Sequence, residues 1–214
     1  KDRNHYFSGL SFNSPSVKKN DIFFAIRGTN INGNKYIKDA IKNGATTIVS
    51  NLNFHGLKKK VLYIKSKDSR KLLSEIASKF YEKKPRNLVA VTGTNGKSSI
   101  ADFYFQILKL NNKKVASIGT LGVKTHFNNL KINNTTLNPI SLHKHLQKIK
   151  KKKIENVILE ASSHGLKQFR LHGLNFKTGI FTNLSRDHLD YHKSYQDYLN
   201  SKLTLFKNLM KKNS

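Results

Sequence analysis

The segment Val89-Ala90-Val91-Thr92-Gly93-Thr94-Asn95-Gly96-Lys97-Ser98-Ser99-Ile100 decides the fold class of this 214-residue chain. A short apolar run ends in a glycine-punctuated loop, and Lys97 and Ser98 then lead into a stretch with helical spacing. A strand, a loop and a helix start in this order bind phosphate, because glycines let backbone N–H groups approach the oxygens and the helix start adds partial positive charge. Lys97 would contact the β- and γ-phosphates of a nucleotide, and the Ser98 hydroxyl would ligate Mg²⁺.

The loop departs from the strict phosphate-loop pattern at one position. That pattern requires a glycine five residues before Gly96, and Val91 stands there. A Gly-Lys-Ser triplet alone is common by chance. The strand predicted before it and the helix predicted after it favour a nucleotide site over an ordinary turn.

The composition limits the kinds of site and the class of protein. The chain has no Cys, which excludes a disulfide framework and a cysteine metal site. No apolar run approaches the length needed to span a bilayer, and residues 1–5 lack a signal-peptide pattern. We therefore expect a soluble, cytoplasmic protein, with a length that allows one large or two small domains.

The formal net charge of +28 raises the question of nucleic acid. The lysines are scattered along the chain among many Asn and Ile residues, and no nucleic-acid-binding motif accompanies them. This pattern favours a solvated basic surface, although any such surface binds polyanions weakly at low salt. A basic nucleic-acid-binding ATPase stays open as an alternative that charge alone supports.

Residues 1–85 are predicted to form a small α/β domain. Apolar runs and helical spacing predict strands at residues 21–26, 46–49 and 61–64, and helices at residues 36–43 and 69–81. The second helix carries an apolar stripe that we interpret as core packing. Pro85 disfavours helix in the residue before it, so we place the domain boundary there.

Residues 86–214 are predicted to form the start of a second α/β domain with a mostly parallel sheet. The sequence predicts strands at residues 88–92, 115–118, 156–160 and 179–183, with helices from the loop to about residue 110, at 141–151 and at 195–210. Strands that alternate with helices indicate parallel pairing, and ligands then bind at the carboxyl ends of the strands. Glu160, Asn183 and His188 lie at or just beyond such ends.

Glu160 and His188 are the candidate partners of a Mg-nucleotide. Mg²⁺ takes one or two protein carboxylates together with phosphate oxygens, and Glu160 ends a buried-type strand. A helix cap or a surface charge explains an isolated acid equally well. His188 could ligate a metal, act as a general base or fix a loop by hydrogen bonding.

Several runs together resemble one family, the ATP-dependent Mur ligases of peptidoglycan synthesis. The segments that carry the resemblance are residues 92–98, 134–136 and 160–166, Gln168 with Arg170, and residues 181–192. The runs Ser-Ser-His-Gly and Asn-Leu-Ser-Arg-Asp-His-Leu-Asp-Tyr-His are most similar to the members that add the third peptide residue. The family loop is the shorter Gly-Thr-Asn-Gly-Lys form, which accounts for Val91. Ser98 stands where the family usually has Thr, and it keeps the hydroxyl.

The resemblance implies a role for each matching position. Lys97, Glu160, His188 and Lys202 would be catalytic. Mg²⁺ would be held by Ser98 and Glu160, and a second Mg²⁺ by His188 and a carbamylated Lys202. The ATP contacts would come from Gly93, Thr94, Asn95, Gly96, Lys97, Ser98, Ser99 and Asn183. The UDP-muramoyl-peptide contacts would come from Phe12, Ser14, Thr29, Asn30, Ile31, Asn134, Thr135, Thr136, Ser162, Gln168 and Arg170.

The function that the resemblance implies is ATP-dependent addition of meso-diaminopimelate or L-lysine to UDP-N-acetylmuramoyl-L-alanyl-D-glutamate through an acyl phosphate. Asn13-Ser14-Pro15 replaces the family's Asp-Ser-Arg motif, which removes both charges at the uridine site. The chain ends at Ser214, so we expect the rest of the central domain and the C-terminal domain to be missing and the chain alone to be inactive. A non-catalytic nucleotide- or UDP-sugar-binding module is the alternative. We expect a monomer without a specific nucleic-acid partner and without a membrane partner.

Overall fold

The computed structural model describes residues 6–28, 31–132 and 134–211. The chain divides between Leu73 and Ser74 into two compact units. Helix Ser69–Phe80 begins before that division and ends after it. The domain boundary at residue 85 therefore stays a prediction.

The first unit is a five-stranded sheet. Its strands and helix are β1 (Gly9–Ser11), β2 (Asp21–Phe24), α1 (Ile37–Lys42), β3 (Ala45–Ser50), β4 (Gly56–Lys58) and β5 (Val61–Lys65). The sheet order is β1-β2-β3-β5-β4, and β4 is antiparallel to β5 while the other pairs are parallel. Its core includes Phe23, Ile37 and Ile48, because the apolar side chains of β2, β3 and α1 face one another.

The predicted elements of the first unit are confirmed with small shifts of their ends. Helix α2 (Ser69–Phe80) lies where its apolar stripe predicts it. The predicted helix at residues 36–43 begins as a 3-10 turn, Gly33–Tyr36, which leads into α1. The sequence missed β1 and β4, since three residues are too few to show an alternating pattern.

The second unit is a six-stranded sheet with helices on both faces. Its elements are β6 (Asn87–Thr92), α3 (Lys97–Leu110), β7 (Val115–Gly119), β8 (Gly122–Thr125), β9 (Asn129–Leu130), α4 (Pro139–Lys151), β10 (Asn156–Glu160), α5 (Ser163–Lys167), β11 (Thr178–Phe181) and α6 (Tyr195–Asn208). The order is β11-β6-β10-β7-β8-β9; the first four strands are parallel, and β8 and β9 add an antiparallel hairpin. The predicted α/β fold with a mostly parallel sheet is confirmed.

The two faces of this sheet have separate apolar cores. Alternate residues of β10 divide between them, so Val157 and Leu159 pack with Leu146 of α4 and Leu205 of α6, whereas Ile158 belongs to the cluster on the α3 side. Helices α4, α5 and α6 begin at residues whose side chains cap them, Asn138, Ser162 and Ser194. Asn138 accepts a hydrogen bond from the Ser141 backbone N–H and Pro139 follows it, so α4 begins two residues before the predicted start.

The register of the parallel strands brings three chain segments to one edge. Glu160 at the end of β10 lies opposite Val91, and Phe181 at the end of β11 lies opposite Thr92. The loop after β6 therefore lies beside the ends of its two neighbours. Strand β11 ends at Phe181, before the predicted residue 183, because the side chains of Thr182 and Asn183 bind the loop instead. None of the helices in the described ranges has the length and apolar character that a membrane span requires.

Candidate active site

The loop between β6 and α3 has the conformation that its glycines predict. Gly93 has φ +146°, and a Cβ there would lie 1.8 Å from Thr182 Oγ1. Gly96 has φ +83° and is the N-cap residue of α3. Both positions need glycine, since positive φ is strained for other residues and Thr182 fills the space beside Gly93.

Asn183, just beyond the end of β11, is hydrogen-bonded to this loop. The Thr94 backbone N–H donates to the Asn183 carbonyl oxygen at 3.0 Å, and the Asn95 N–H donates to Asn183 Oδ1 at 2.9 Å. Thr182 Oγ1 adds a bond to the Asn95 carbonyl at 2.6 Å. Asn183 was predicted to contact the nucleotide, and the structure places it against the loop backbone.

Lys97 is folded back onto the loop. Its Nζ donates to the carbonyl oxygens of Gly93 at 2.9 Å and Thr94 at 2.7 Å. Burial lowers the pKa of Lys97, and the nearby carboxylates of Glu160 and Asp187 oppose that shift. The side chain is therefore a cation held at the mouth of the loop by carbonyl groups.

Glu160 joins the loop to the next strand. The carboxylate is 2% exposed; Ser98 Oγ donates to its Oε2 at 2.9 Å, and the Thr120 backbone N–H donates to Oε1 at 2.9 Å. A Cβ on Gly119 would lie 2.1 Å from Oε1, so glycine leaves the room that the carboxylate occupies. The adjacent hydroxyl and carboxylate oxygens fit the ligand preference of Mg²⁺.

Lys202 on α6 contacts the same loop. It is 1% exposed; its Nζ donates to the Gly93 carbonyl at 2.7 Å and lies 4.3 Å from the ring centroid of Tyr198. The pKa of Lys202 is lowered to about 8, first by burial and then by the positive charge of Lys97, while Asp187 opposes the shift. The structure thus places Lys202 in the site with Lys97 and Glu160.

His188 lies beside the site in a cluster of rings. It has φ +52°, its Nε2 is 3.4 Å from Asp187 Oδ2, and its ring meets that of His164 edge to face at 4.9 Å. The His164 ring in turn stacks on Tyr191 at 4.0 Å. Within the described part of the chain no three His, Cys, Asp or Glu side chains are grouped closely enough to hold a metal. A second metal at His188 and Lys202 stays a prediction.

A network of polar side chains connects the predicted substrate residues of the second unit. Thr136 Oγ1 donates to the Glu160 carbonyl at 2.9 Å and lies 3.0 Å from Ser162 Oγ. Arg170 donates to the Thr136 carbonyl at 2.7 Å and from two nitrogens to Gln168 Oε1, at 3.1 and 2.8 Å. These contacts hold the residues together and fix their side chains beside the end of β10.

The other predicted substrate residues have different surroundings. Thr135 Oγ1 lies 3.0 Å from Thr120 Oγ1, and Asn134 is exposed. In the first unit Phe12 and Ile31 are exposed, while Ser14 is buried. Thr29 and Asn30 lie outside the described residues. Of the predicted substrate residues of the second unit, Thr135 and Ser162 line the cavity. The roles of the others stay predictions: Asn134, Thr136, Gln168, Arg170, Phe12, Ser14 and Ile31.

The cavity has a volume of about 280 Å³ at the carboxyl edge of the sheet. Among its lining residues are the loop, Glu160, His188 and Lys202, together with three residues that sequence reasoning missed: Thr120, Ser163 and Tyr198. Tyr198 is fully buried, and its hydroxyl lies 2.9 Å from Thr94 Oγ1. The spacing of Tyr198, Ser201, Lys202 and Leu205 on one face of α6 was the signal that could have found it.

Comparison with known families identifies both units. A model described as "Mur ligase middle domain" matches residues 91–214, and one described as "Mur ligase family, catalytic domain" matches residues 6–81. A protein of Rickettsia montanensis named UDP-N-acetylmuramoyl-L-alanyl-D-glutamate–2,6-diaminopimelate ligase is 45% identical over 208 residues, which are 95% of this chain and 43% of that protein. The protein of the same name from Clostridium tetani is 39% identical over 203 residues, 93% of this chain and 42% of that protein.

Solved structures are also similar to this chain. A structure titled UDP-N-acetylmuramoyl-L-alanyl-D-glutamate–2,6-diaminopimelate ligase has a TM-score of 0.81 at 31% identity and covers 94% of this chain and 41% of its own. A MurF ligase from Thermotoga maritima in complex with ADP has a TM-score of 0.63 at 20% identity, over 100% of this chain and 45% of its own, and shows a similar fold. The chain spans less than half the length of the curated relatives it matches.

Proposed function

Because this chain belongs to the Mur ligase family, we propose that it is the substrate- and ATP-binding part of a ligase that adds 2,6-diaminopimelate to UDP-N-acetylmuramoyl-L-alanyl-D-glutamate. Relatives that bear this activity in their name support the choice of substrate. One observation carries the proposal: the 2.9 Å bond between Ser98 and Glu160 joins the phosphate loop to the neighbouring strand at the floor of the cavity. That pair of oxygen ligands is what a Mg-nucleotide requires.

The proposed reaction forms an amide at the expense of ATP. An oxygen of the substrate's terminal carboxylate attacks the γ-phosphorus, the bond between that phosphorus and the leaving ADP oxygen breaks, and an acyl phosphate results. The amine of the incoming residue then attacks the acyl carbon and loses a proton, and inorganic phosphate leaves. Mg²⁺, when bound by Ser98 and Glu160, would offset the charge that gathers as a carboxylate approaches a triphosphate.

Lys97 supports the first step as a positioned cation. Its Nζ is held at the loop by two carbonyl oxygens and can turn toward phosphate oxygens by rotation of its own side chain. Positive charge there stabilises the negative charge of the transferring group in a partly buried site. The loop N–H groups that remain free of Asn183 would bind the same oxygens.

Lys202 is proposed to carry a carbamate. Its Nζ is buried and lies close to the positive charge of Lys97, and both conditions favour a neutral amine over an ammonium. Incubation with ¹³C-labelled bicarbonate and Mg²⁺ should give a carbamate signal in the ¹³C NMR spectrum. The signal should be missing from Lys202→Arg and present in Lys207→Arg, a control on the same helix. A signal of equal intensity in all three proteins would contradict the proposal.

Calorimetry with Mg-ATP tests the nucleotide site. Lys97→Ala should weaken binding by more than about tenfold, since a charge-assisted contact is lost. The fold should remain, because Lys97 lies at a junction between loop and helix. Lys109→Ala, an exposed position on the same helix, is the matched control and should bind as the parent chain does. Equal affinity in all three would end the phosphate-loop assignment.

Arg170 tests the peptide substrate. We propose that its guanidinium, fixed by Thr136 and Gln168, also pairs with a substrate carboxylate, a bidentate contact that Lys cannot reproduce. Arg170→Lys should weaken binding of UDP-N-acetylmuramoyl-L-alanyl-D-glutamate and leave the affinity for Mg-ATP unchanged. A large fall in melting temperature would instead assign Arg170 a structural role.

Binding of both ligands without ADP release would favour a non-catalytic binding module.

A further inference from the structure

The amino edge of the larger sheet is lined with basic residues. Because β11, β6, β10 and β7 are parallel, the segments that precede them meet at one edge, the edge opposite the cavity. Each of these segments carries exposed cations. They are Lys177 before β11, Arg86 before β6, Lys151, Lys152 and Lys153 before β10, and Lys113 and Lys114 before β7. At about 4.8 Å between strands this basic edge is about 14 Å wide from β11 to β7.

Hydrogen bonds fix the strand starts of this basic edge relative to one another. Asn156 Nδ2 donates to the Lys114 carbonyl at 3.2 Å, and Asn87 Nδ2 donates to Asn156 Oδ1 at 2.9 Å. An acid at this edge, Glu155, is engaged by Lys150 through one oxygen and by the Arg86 backbone N–H through the other. The negative charge of Glu155 is therefore neutralised by these two partners, and the surrounding lysines keep a strong net positive potential.

Two large apolar side chains flank the cations. Phe127, in the turn of the β8–β9 hairpin, is 66% exposed, and Lys152 Nζ lies 5.5 Å from its ring centroid. The turn belongs to the same edge, because Thr125 pairs with Ala116 at the start of β7. Leu110, at the end of α3 and shortly before Lys113, is 82% exposed. Lysines next to exposed apolar groups are a pattern that suits the boundary between headgroups and acyl chains.

We propose that this basic edge docks the protein on an anionic lipid surface. The lysines would lie among the headgroups, and Phe127 and Leu110 would enter the boundary beneath them. An exposed leucine gains contact with a nucleic acid only where base steps are unstacked, whereas a bilayer accommodates both kinds of side chain without that cost. For that reason the observations favour lipid over nucleic acid.

Surface docking requires no spanning helix. The expectation of no membrane partner was based on the lack of a spanning segment in the sequence, and the basic edge is a different feature. The cavity lies at the other end of the strands, so docking at the basic edge leaves the cavity open to solution. The inference is independent of the reaction proposed above.

Vesicle sedimentation of the chain tests the proposal. The probes are vesicles of phosphatidylcholine alone and vesicles with about one third phosphatidylglycerol, at roughly 0.15 M salt. The parent chain should bind the anionic vesicles at least about tenfold more tightly than the neutral ones. The edge variant replaces four lysines by Gln at positions Lys113, Lys114, Lys151 and Lys152. The control variant makes the same change in net charge at four exposed lysines of the first unit, Lys19, Lys35, Lys38 and Lys42.

The edge variant should lose at least about tenfold in affinity for anionic vesicles, and the control variant less than about threefold. Phe127→Ser with Leu110→Ser should weaken binding at unchanged net charge. Melting curves establish that each variant is folded. Equal losses in the edge and control variants would show a diffuse charge effect and overturn the proposal. Binding of a single-stranded or duplex oligonucleotide in preference to vesicles, lost in the edge variant, would also overturn it and assign a nucleic-acid partner.

Discussion

At the carboxyl end of the larger sheet two lysines are held by backbone carbonyls inside a cavity, while at its amino end the lysines extend into solvent. Lys202 is 1% exposed and its pKa falls to about 8, because burial penalises the ammonium. Lys113 and Lys151 are exposed. The same side chain therefore supplies a costly, fixed charge in one place and a low-cost, adaptable charge in the other. The difference follows from where helix α6 and the loops pack, not from residue type.

Lys202→Met tests the cost of the buried charge most directly. The substitution removes a buried charge and keeps the length of the side chain, so it should stabilise the chain by up to about 3 kcal/mol at pH 7 in CO₂-free buffer. That corresponds to a rise in melting temperature of about 2–4 °C per kcal/mol. Lys113→Met is the control at the exposed end and should leave the melting temperature within about a degree. A lower melting temperature for Lys202→Met would mean that the Gly93 and Tyr198 contacts outweigh the cost of burial.

Gly119→Ala tests how closely the cavity end is packed. The new methyl group would lie 2.1 Å from Glu160 Oε1, so the carboxylate must move away from Ser98. We expect a loss of about 1–3 kcal/mol in stability, as for other overpacked sites, and a weaker affinity for Mg-ATP by calorimetry. Adding Glu160→Asp shortens the acid and should recover part of the stability. If the double variant recovers no stability, the strain does not come from the contact between the new methyl group and Glu160.

His143 lies in the interior of the second unit and tests the effect of burial on an imidazole. It is fully buried on α4, and its pKa is lowered to about 4, first by burial and then by the charge of Lys84, while the His172 backbone opposes the shift. The unfolded chain therefore binds this proton more tightly, and stability is lost as the pH falls below about 6.5 toward 4. Denaturant titrations should show a loss of about 2 kcal/mol between pH 7 and pH 5 that His143→Leu removes. His55→Leu, an exposed control, should leave the pH dependence as it is.

Tyr198→Phe has the smallest expected effect. The ring that faces Lys202 remains, and only the hydroxyl bond to Thr94 is lost. Loss of one buried hydrogen bond should cost about 1 kcal/mol in stability and lower the affinity for Mg-ATP a few-fold. Tyr195→Phe, exposed on the same helix, is the control. An unchanged affinity in Tyr198→Phe would show that the bonds of Thr94 to Asn183 and to the Ser185 backbone position it without the tyrosine hydroxyl.

The long periodic elements and the loop between β6 and α3 were predictable from the sequence. Parallel strands place their carboxyl ends together, so the meeting of Ser98 and Glu160 follows from topology. Lys202 was reached through the resemblance, because one lysine among many on a helix gives no signal of its own. Thr120 and Tyr198 were missed because their importance depends on which helix packs against which loop. The hairpin of β8 and β9 was missed since its strands are four and two residues long.

The Gly93 carbonyl accepts hydrogen bonds from both Lys97 and Lys202, at 2.9 and 2.7 Å. The two ammonium nitrogens can therefore lie no farther apart than the sum of these distances. One oxygen of the protein thus acts as an internal ligand for two cations. A phosphate oxygen bound by these cations would replace the carbonyl oxygen, so the gain on binding would be the difference between an ammonium–phosphate bond and an ammonium–carbonyl bond. The side chains of Lys97 and Lys202 are already ordered, so the rotamer entropy that binding would otherwise cost was lost when the chain folded.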